Sequence, residues 1–90
     1  HLTYAVAKFG VRAMAETMAR EFSSQSLHIA HFTVDGGVGN DRRLKADPEL
    51  AAKDGFMSME AMAEAYYQTH LQPRSCWAFD VEMRPWNRAF

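Results

Sequence analysis

The chain has 90 residues, 48% of them hydrophobic and 23% charged, with a formal net charge of -1. That balance is ordinary for soluble globular protein and lacks the basic footprint that nucleic-acid binding requires, so no nucleic-acid partner is expected. No apolar run approaches the roughly 18 residues of a membrane span and no secretory leader is visible, so no membrane partner is expected and a cytoplasmic location is the default reading. The one cysteine, Cys76, excludes an internal disulfide. The chain opens at His1 directly into a helical pattern, which suggests a fragment or a processed product.

Residues 4–22 have the periodicity of a helix. Ala7, Val11, Met14, Met18 and Phe22 make one apolar stripe, with Thr3 as the expected N-cap. Arg12, Glu16 and Arg20 step by four along a charged line. Ala5, Phe9 and Ala13 lie on neither line and form a second, smaller apolar face. A helix apolar on two faces is central to a larger fold or lies in a subunit interface.

Ser23 to Ser26 is a polar connection. Leu27 to Val34 follows with the β-branched, apolar content of a largely buried strand. Asp35-Gly36-Gly37-Val38-Gly39-Asn40 is a glycine-rich turn leaving it. Residues 41–56 are mixed and charged, and read as a mobile segment with a short helix after Asp47-Pro48. Ser58 to His70 reads as a second helix capped by Ser58, and Gln72-Pro73 ends it. From Cys76 to Met83, Trp77, Phe79, Val81 and Met83 alternate with more polar neighbours, the period of a strand with one wet face.

The order helix-strand-loop-helix-strand predicts an α/β fold with a parallel sheet. Two strands do not make a stable parallel sheet, which is normally covered on both faces, so further strands are expected before residue 1. The whole of 1–90 then reads as the C-terminal portion of a single domain.

Tyr4 and Lys8 are the first chemical candidates, since a spacing of four puts them on one helical face. A tyrosine hydroxyl titrates near ~10, and a nearby ammonium favours its phenolate. Such a pair can pass a proton to or from a substrate oxygen. Tyr-x-x-x-Lys alone is a weak signal, better explained on its own by a buried tyrosine beside a solvated lysine. Among weaker signals, His28 and His31 have an odd offset on a strand, which places them on opposite faces; no metal site is expected. Cys76 reads as a small packing residue rather than a nucleophile. Met57, Met59 and Met62 suit core packing better than a substrate lid, and Trp77 and Trp86 suit an apolar contact.

Residues 4–21, Tyr-Ala-Val-Ala-Lys-Phe-Gly-Val-Arg-Ala-Met-Ala-Glu-Thr-Met-Ala-Arg-Glu, closely resemble the active-site helix of the short-chain dehydrogenase/reductase family. The following strand and glycine turn fall where that family has them. The stretch from Gln72-Pro73-Arg74-Ser75-Cys76-Trp77 to Arg84-Pro85-Trp86 is similar to one subgroup of it, so the resemblance spans essentially all 90 residues.

This resemblance implies the C-terminal part of a Rossmann-type, doubly wound parallel sheet binding NAD or NADP. It implies hydride transfer between a nicotinamide and a small alcohol or carbonyl substrate. Tyr4 would be the catalytic acid/base, and Lys8 would favour its phenolate and bond the nicotinamide ribose. Gly36, Gly37, Val38 and Asn40 would contribute the cofactor-binding turn, with the backbone of Val38 facing the carboxamide. Glycine permits such close backbone approach, and strand carboxyl ends are where ligands sit in open α/β sheets. The family's subunit interfaces imply a homo-oligomer, a dimer or tetramer. Two departures stand out: Asp35 replaces the usual Pro and Asn40 the usual Thr, though both residues also favour turns for local reasons. The family's glycine-rich phosphate loop and catalytic Ser would lie upstream of His1, so the 90 residues alone are expected to be inactive. Residues 41–56 would shape the substrate pocket. Two other readings stay open, because a fold does not fix a function: a non-redox or regulatory member of the same fold, and a stand-alone helical module docking on a protein partner.

Overall fold

A computed structural model describes residues 1–88. The elements in chain order are α1 (Leu2–Phe22), a 3₁₀ turn (Ser23–Gln25), β1 (His31–Val34), α2 (Asp41–Ala46), α3 (Pro48–Ala52), α4 (Met59–His70) and β2 (Asp80–Met83). They fall into two compact units. One joins His1–Phe32 to Gln72–Val81, and the other joins Thr33–Leu71 to the segment from Glu82. Among the described residues no helix is long and apolar enough to cross a membrane.

In the first unit, α1 begins two residues before the expected start. His1, not Thr3, precedes it, with no side-chain cap. The Ala5 amide donates to the His1 carbonyl at 3.0 Å, and this backbone bond starts the helix in place of a threonine hydroxyl. The half-buried positions of α1 are Ala5, Arg12, Ala15, Ala19 and Phe22. At about 100° per residue these define one side of the helix, and it is not the expected stripe. Phe22 belongs to that stripe and is covered, whereas Val11 and Met14 are 56% and 66% exposed, and Phe9 on the second apolar face is 67% exposed. The reason is local. Arg12, on the covered side, reaches Asp80 of β2 (Nη2–Oδ2 3.4 Å), whereas the remaining two-thirds of the circumference meets solvent. The charged line is also broken up: Arg20 pairs with Glu16 at 3.3 Å, and Arg12 leaves it for Asp80.

Asp80 binds twice. Its Oδ1 lies 2.9 Å from His31 Nδ1 of β1, while its Oδ2 faces Arg12. His28 stacks on Trp77 with ring centroids 4.6 Å apart and planes 3° from parallel. Its Nε2 lies 2.8 Å from the Ala78 carbonyl, which can only accept, so Nε2 carries the proton in this bond. Gln72 secures the same segment: its side-chain oxygen accepts from Ala78 N and its carbonyl from Trp77 Nε1. Cys76 is exposed, which corrects its assignment as a packing residue, because it sits in the turn closed by the Cys76 amide and the Pro73 carbonyl.

The two strands form one parallel pair. His31 N donates to Phe79 O and Asp35 N to Met83 O, so both partners advance in the same direction. Each strand has four residues, shorter than the eight read from 27–34 and from 76–83. In β2 the expected alternation holds, with Val81 and Met83 half-buried and Asp80 and Glu82 exposed. The pairing is limited to the stretch where both chains offer amides to each other. Residues 27–30 form no strand, and His28 engages the segment before β2 through its ring instead.

In the second unit the segment 41–56 carries two short helices, α3 where a short helix was expected after Asp47-Pro48 and α2, which was not expected. Asn40 Oδ1 accepts from Arg43 N and starts α2. Asp47 Oδ1 accepts from Leu50 N, with Pro48 in the first turn, and starts α3. These side-chain caps, together with a proline that fits the first turn without needing its amide, make two short helices possible in a polar stretch. Ser58 caps α4 as expected, its Oγ accepting from Ala61 N at 3.2 Å. Met57 is buried, Met62 half-buried and Met59 exposed, so only the first two pack.

Gly10 lies within the uncovered side of α1, and a Cβ added there would meet nothing within 4 Å. Glycine inside a helix costs about 1 kcal/mol relative to alanine. Gly10→Ala is therefore expected to stabilise this chain by about that amount in urea unfolding; a loss of stability would mean that the face is covered.

Candidate functional site

Two candidate regions are present, one in each compact unit, and each stands on its own local geometry. The first is the start of α1. Tyr4 and Lys8 are one turn apart, and both side chains are exposed, Tyr4 to 63%. The Lys8 ammonium lies 5.3 Å from the centroid of the Tyr4 ring, over its face. An exposed cation over an aromatic ring contributes about 0.5–1 kcal/mol. The helix thus does what the spacing requires: it brings a phenol and an ammonium together, on a surface open to a ligand.

The second is the turn after β1. Gly36 has φ 144, a conformation that side chains other than hydrogen rarely adopt. A Cβ there would also meet Pro85 Cδ at 2.7 Å. Gly37 sits against the ring of Phe56, where a Cβ would come within 2.9 Å of two ring carbons. Val38 pairs with Met57 in a short parallel bridge, through Met57 N to Gly37 O and Gly39 N to Met57 O, both 2.8 Å. The Val38 carbonyl accepts from Asn40 N at 2.9 Å. Asn40 uses its side-chain oxygen to cap α2. The glycines are thus needed by the turn's own packing, and Asn40 has a structural task in addition to any contact with a ligand.

Asp35, one of the two departures noted above, is held by two arginines. Its Oδ1 lies 2.9 Å from Arg88 Nε and its Oδ2 lies 3.3 Å from Arg84 Nη1. These partners were not read from the sequence. The signal was present in two arginines four apart just beyond the last strand, and parallel register brings Met83 beside Asp35. Among the described residues no group of three or more His, Cys, Asp or Glu side chains could hold a metal ion.

Two side-chain donors of α1 bear on a nicotinamide nucleotide. The primary ammonium of Lys8 suits a sugar hydroxyl and the phenol of Tyr4 suits a substrate oxygen. Both are exposed, and Lys8 has its ammonium over a ring rather than in an ion pair among the described residues. The donor set therefore fits.

No known family profile and no curated protein matches the sequence. The chain is similar to a short-chain dehydrogenase from Rhodopseudomonas palustris known from a crystal structure, with 36% sequence identity and a TM-score of 0.65. The match covers 91% of this chain and 29% of that one, so the chain spans less than a third of the matched protein's length. The likeness supports a relationship of the short-chain dehydrogenase kind, with an oxidoreductase-like fold, and the helices and parallel strand pair are compatible with part of a Rossmann-like α/β domain.

Gly36 supplies a test of the turn. Gly36→Ala adds a Cβ at a positive φ and against Pro85. Strain of this kind costs about 1–3 kcal/mol, and the variant is expected to lose that much stability in chemical unfolding. An unchanged midpoint would show that the turn is not held in this conformation.

Proposed function

We propose that this chain is the catalytic-helix end of an NAD- or NADP-dependent oxidoreductase acting on a small alcohol or carbonyl substrate. The observation that carries the reading is the exposed Tyr4–Lys8 pair on the first turns of α1, in a chain 36% identical to part of a short-chain dehydrogenase. A bound nicotinamide nucleotide would supply the hydride acceptor or donor. Tyr4 would move the proton at the substrate oxygen, and Lys8 would hold the nicotinamide ribose. Gly36, Gly37, Val38 and Asn40 would form the turn against the nicotinamide end, with the Val38 backbone nearest the carboxamide. Tyr4 and Lys8 are both exposed in this chain, within reach of a ligand. The apolar faces left uncovered on α1 support a place inside a larger domain or a homo-oligomer, and the cytoplasm is the proposed compartment.

In a full-length protein that carries this segment, Tyr4→Phe is expected to lower turnover by about 10²–10⁴-fold while leaving nucleotide affinity within a few-fold, as removal of a general acid/base does. Steady-state kinetics and nucleotide titration measure both. Full activity in the variant would remove Tyr4 from the chemistry. It would favour the non-redox reading or the protein-docking one.

A further inference from the structure

We propose that Asp35 is the positioning residue of the Gly36–Asn40 turn, and that it acts by clamping the C-terminal segment Arg84–Arg88 against the turn. Five contacts converge there, all within the second compact unit. Asp35 N donates to Met83 O at 2.9 Å. Its carboxylate takes Arg88 Nε at 2.9 Å on one oxygen and Arg84 Nη1 at 3.3 Å on the other. Arg84 Nη2 donates in turn to the Arg88 carbonyl at 3.2 Å, which closes a ring of polar contacts over Pro85. Pro85 itself is buried and fills the space where Gly36 lacks a side chain.

The segment is also anchored at its far side. Trp86 Nε1 donates to Asp54 Oδ2 at 3.2 Å and Asn87 Nδ2 to the Lys53 carbonyl at 2.7 Å, just beyond α3. A segment held at Asp54 and Lys53 and clamped at Asp35 restrains the turn from outside. A proline at position 35, as in the family pattern, would lack both the amide that bonds Met83 and the carboxylate that pairs with the arginines. The acidic residue therefore exchanges the intrinsic stiffness of proline for a restraint supplied from the chain's end. Charge-assisted bonds of this type are about twice as strong as neutral ones. The Arg84 side chain is only 13% exposed, so that half of the clamp is the less screened by solvent.

That the turn so fixed faces a nicotinamide rests on the proposed function; the clamp does not. The test is amide hydrogen exchange by NMR on the full 90-residue chain. Asp35→Asn and Arg88→Gln are each expected to speed exchange at the Gly39, Asn40 and Met57 amides roughly tenfold, a difference of about 1.4 kcal/mol. Amides of α1 should keep their rates, which separates a local effect from general unfolding. The double variant should be no faster than Asp35→Asn alone, because that variant already breaks the pair that Arg88→Gln breaks, and Asp35→Glu should restore part of the protection. Turn amides that keep their rates in both single variants, or effects that simply add, would overturn the proposal. If the clamp passes and Tyr4→Phe stays fully active, the nicotinamide reading fails alone; if the clamp fails, that reading is untouched.

Discussion

Two backbone hydrogen bonds bracket the strand pair, His31 N to Phe79 O at 2.6 Å and Asp35 N to Met83 O at 2.9 Å. The rest of the structure depends on this parallel ladder. At its start, Asp80 is set beside His31 and within reach of Arg12, and that contact fixes which side of α1 is covered. At its end, Met83 is set beside Asp35, and the residues that follow fold over the glycine turn. A parallel pair needs a long connection, and here residues 35–79 supply it with three helices rather than one. The pairing is short, four residues on each strand, and it is the place where sequence-distant segments acquire a common register.

The uncovered side of α1 is the counterpart of that short sheet. Met14 and Phe9 are two-thirds exposed, and Met57 is the buried hydrophobic residue among those described. Apolar area left in water contributes nothing to stability, at about 25 cal/mol forgone per Å². The longest helix therefore exposes much of its apolar surface and carries a glycine, Gly10, on the exposed side. The proposed function accounts for this by placing the helix inside a larger domain or a homo-oligomer.

Helices were the most legible feature of the sequence. The Ser58 cap and the α1 periodicity carry local physics that needs no partner, and α4 starts within one residue of its expected place. The strands were half legible. Alternation marks β2 correctly, but a hydrophobic run does not show where a partner's amides stop, so both strands were read too long. Within residues 41–56 the helix after Asp47-Pro48 was legible from the proline in its first turn, whereas α2 was missed because an Asn at position 40 fits a loop as well as a cap. The Tyr4–Lys8 pair was legible because both members lie on one helix. The Asp35 clamp was not, because its arginines are 49 and 53 residues away and only strand register brings them near. The covered face of α1 was hidden for the same reason: it is decided by Asp80, not by the most apolar stripe.

The central claim is that Tyr4 and Lys8 serve a bound nicotinamide nucleotide. A crystal structure of the full-length protein with NAD(H) or NADP(H) bound tests it most directly. The account predicts Lys8 on the nicotinamide ribose, the Tyr4 hydroxyl beside the substrate position, and the Val38 backbone at the carboxamide. A nucleotide bound away from the start of α1, or Tyr4 and Lys8 buried in a protein interface with no nucleotide near them, would contradict it.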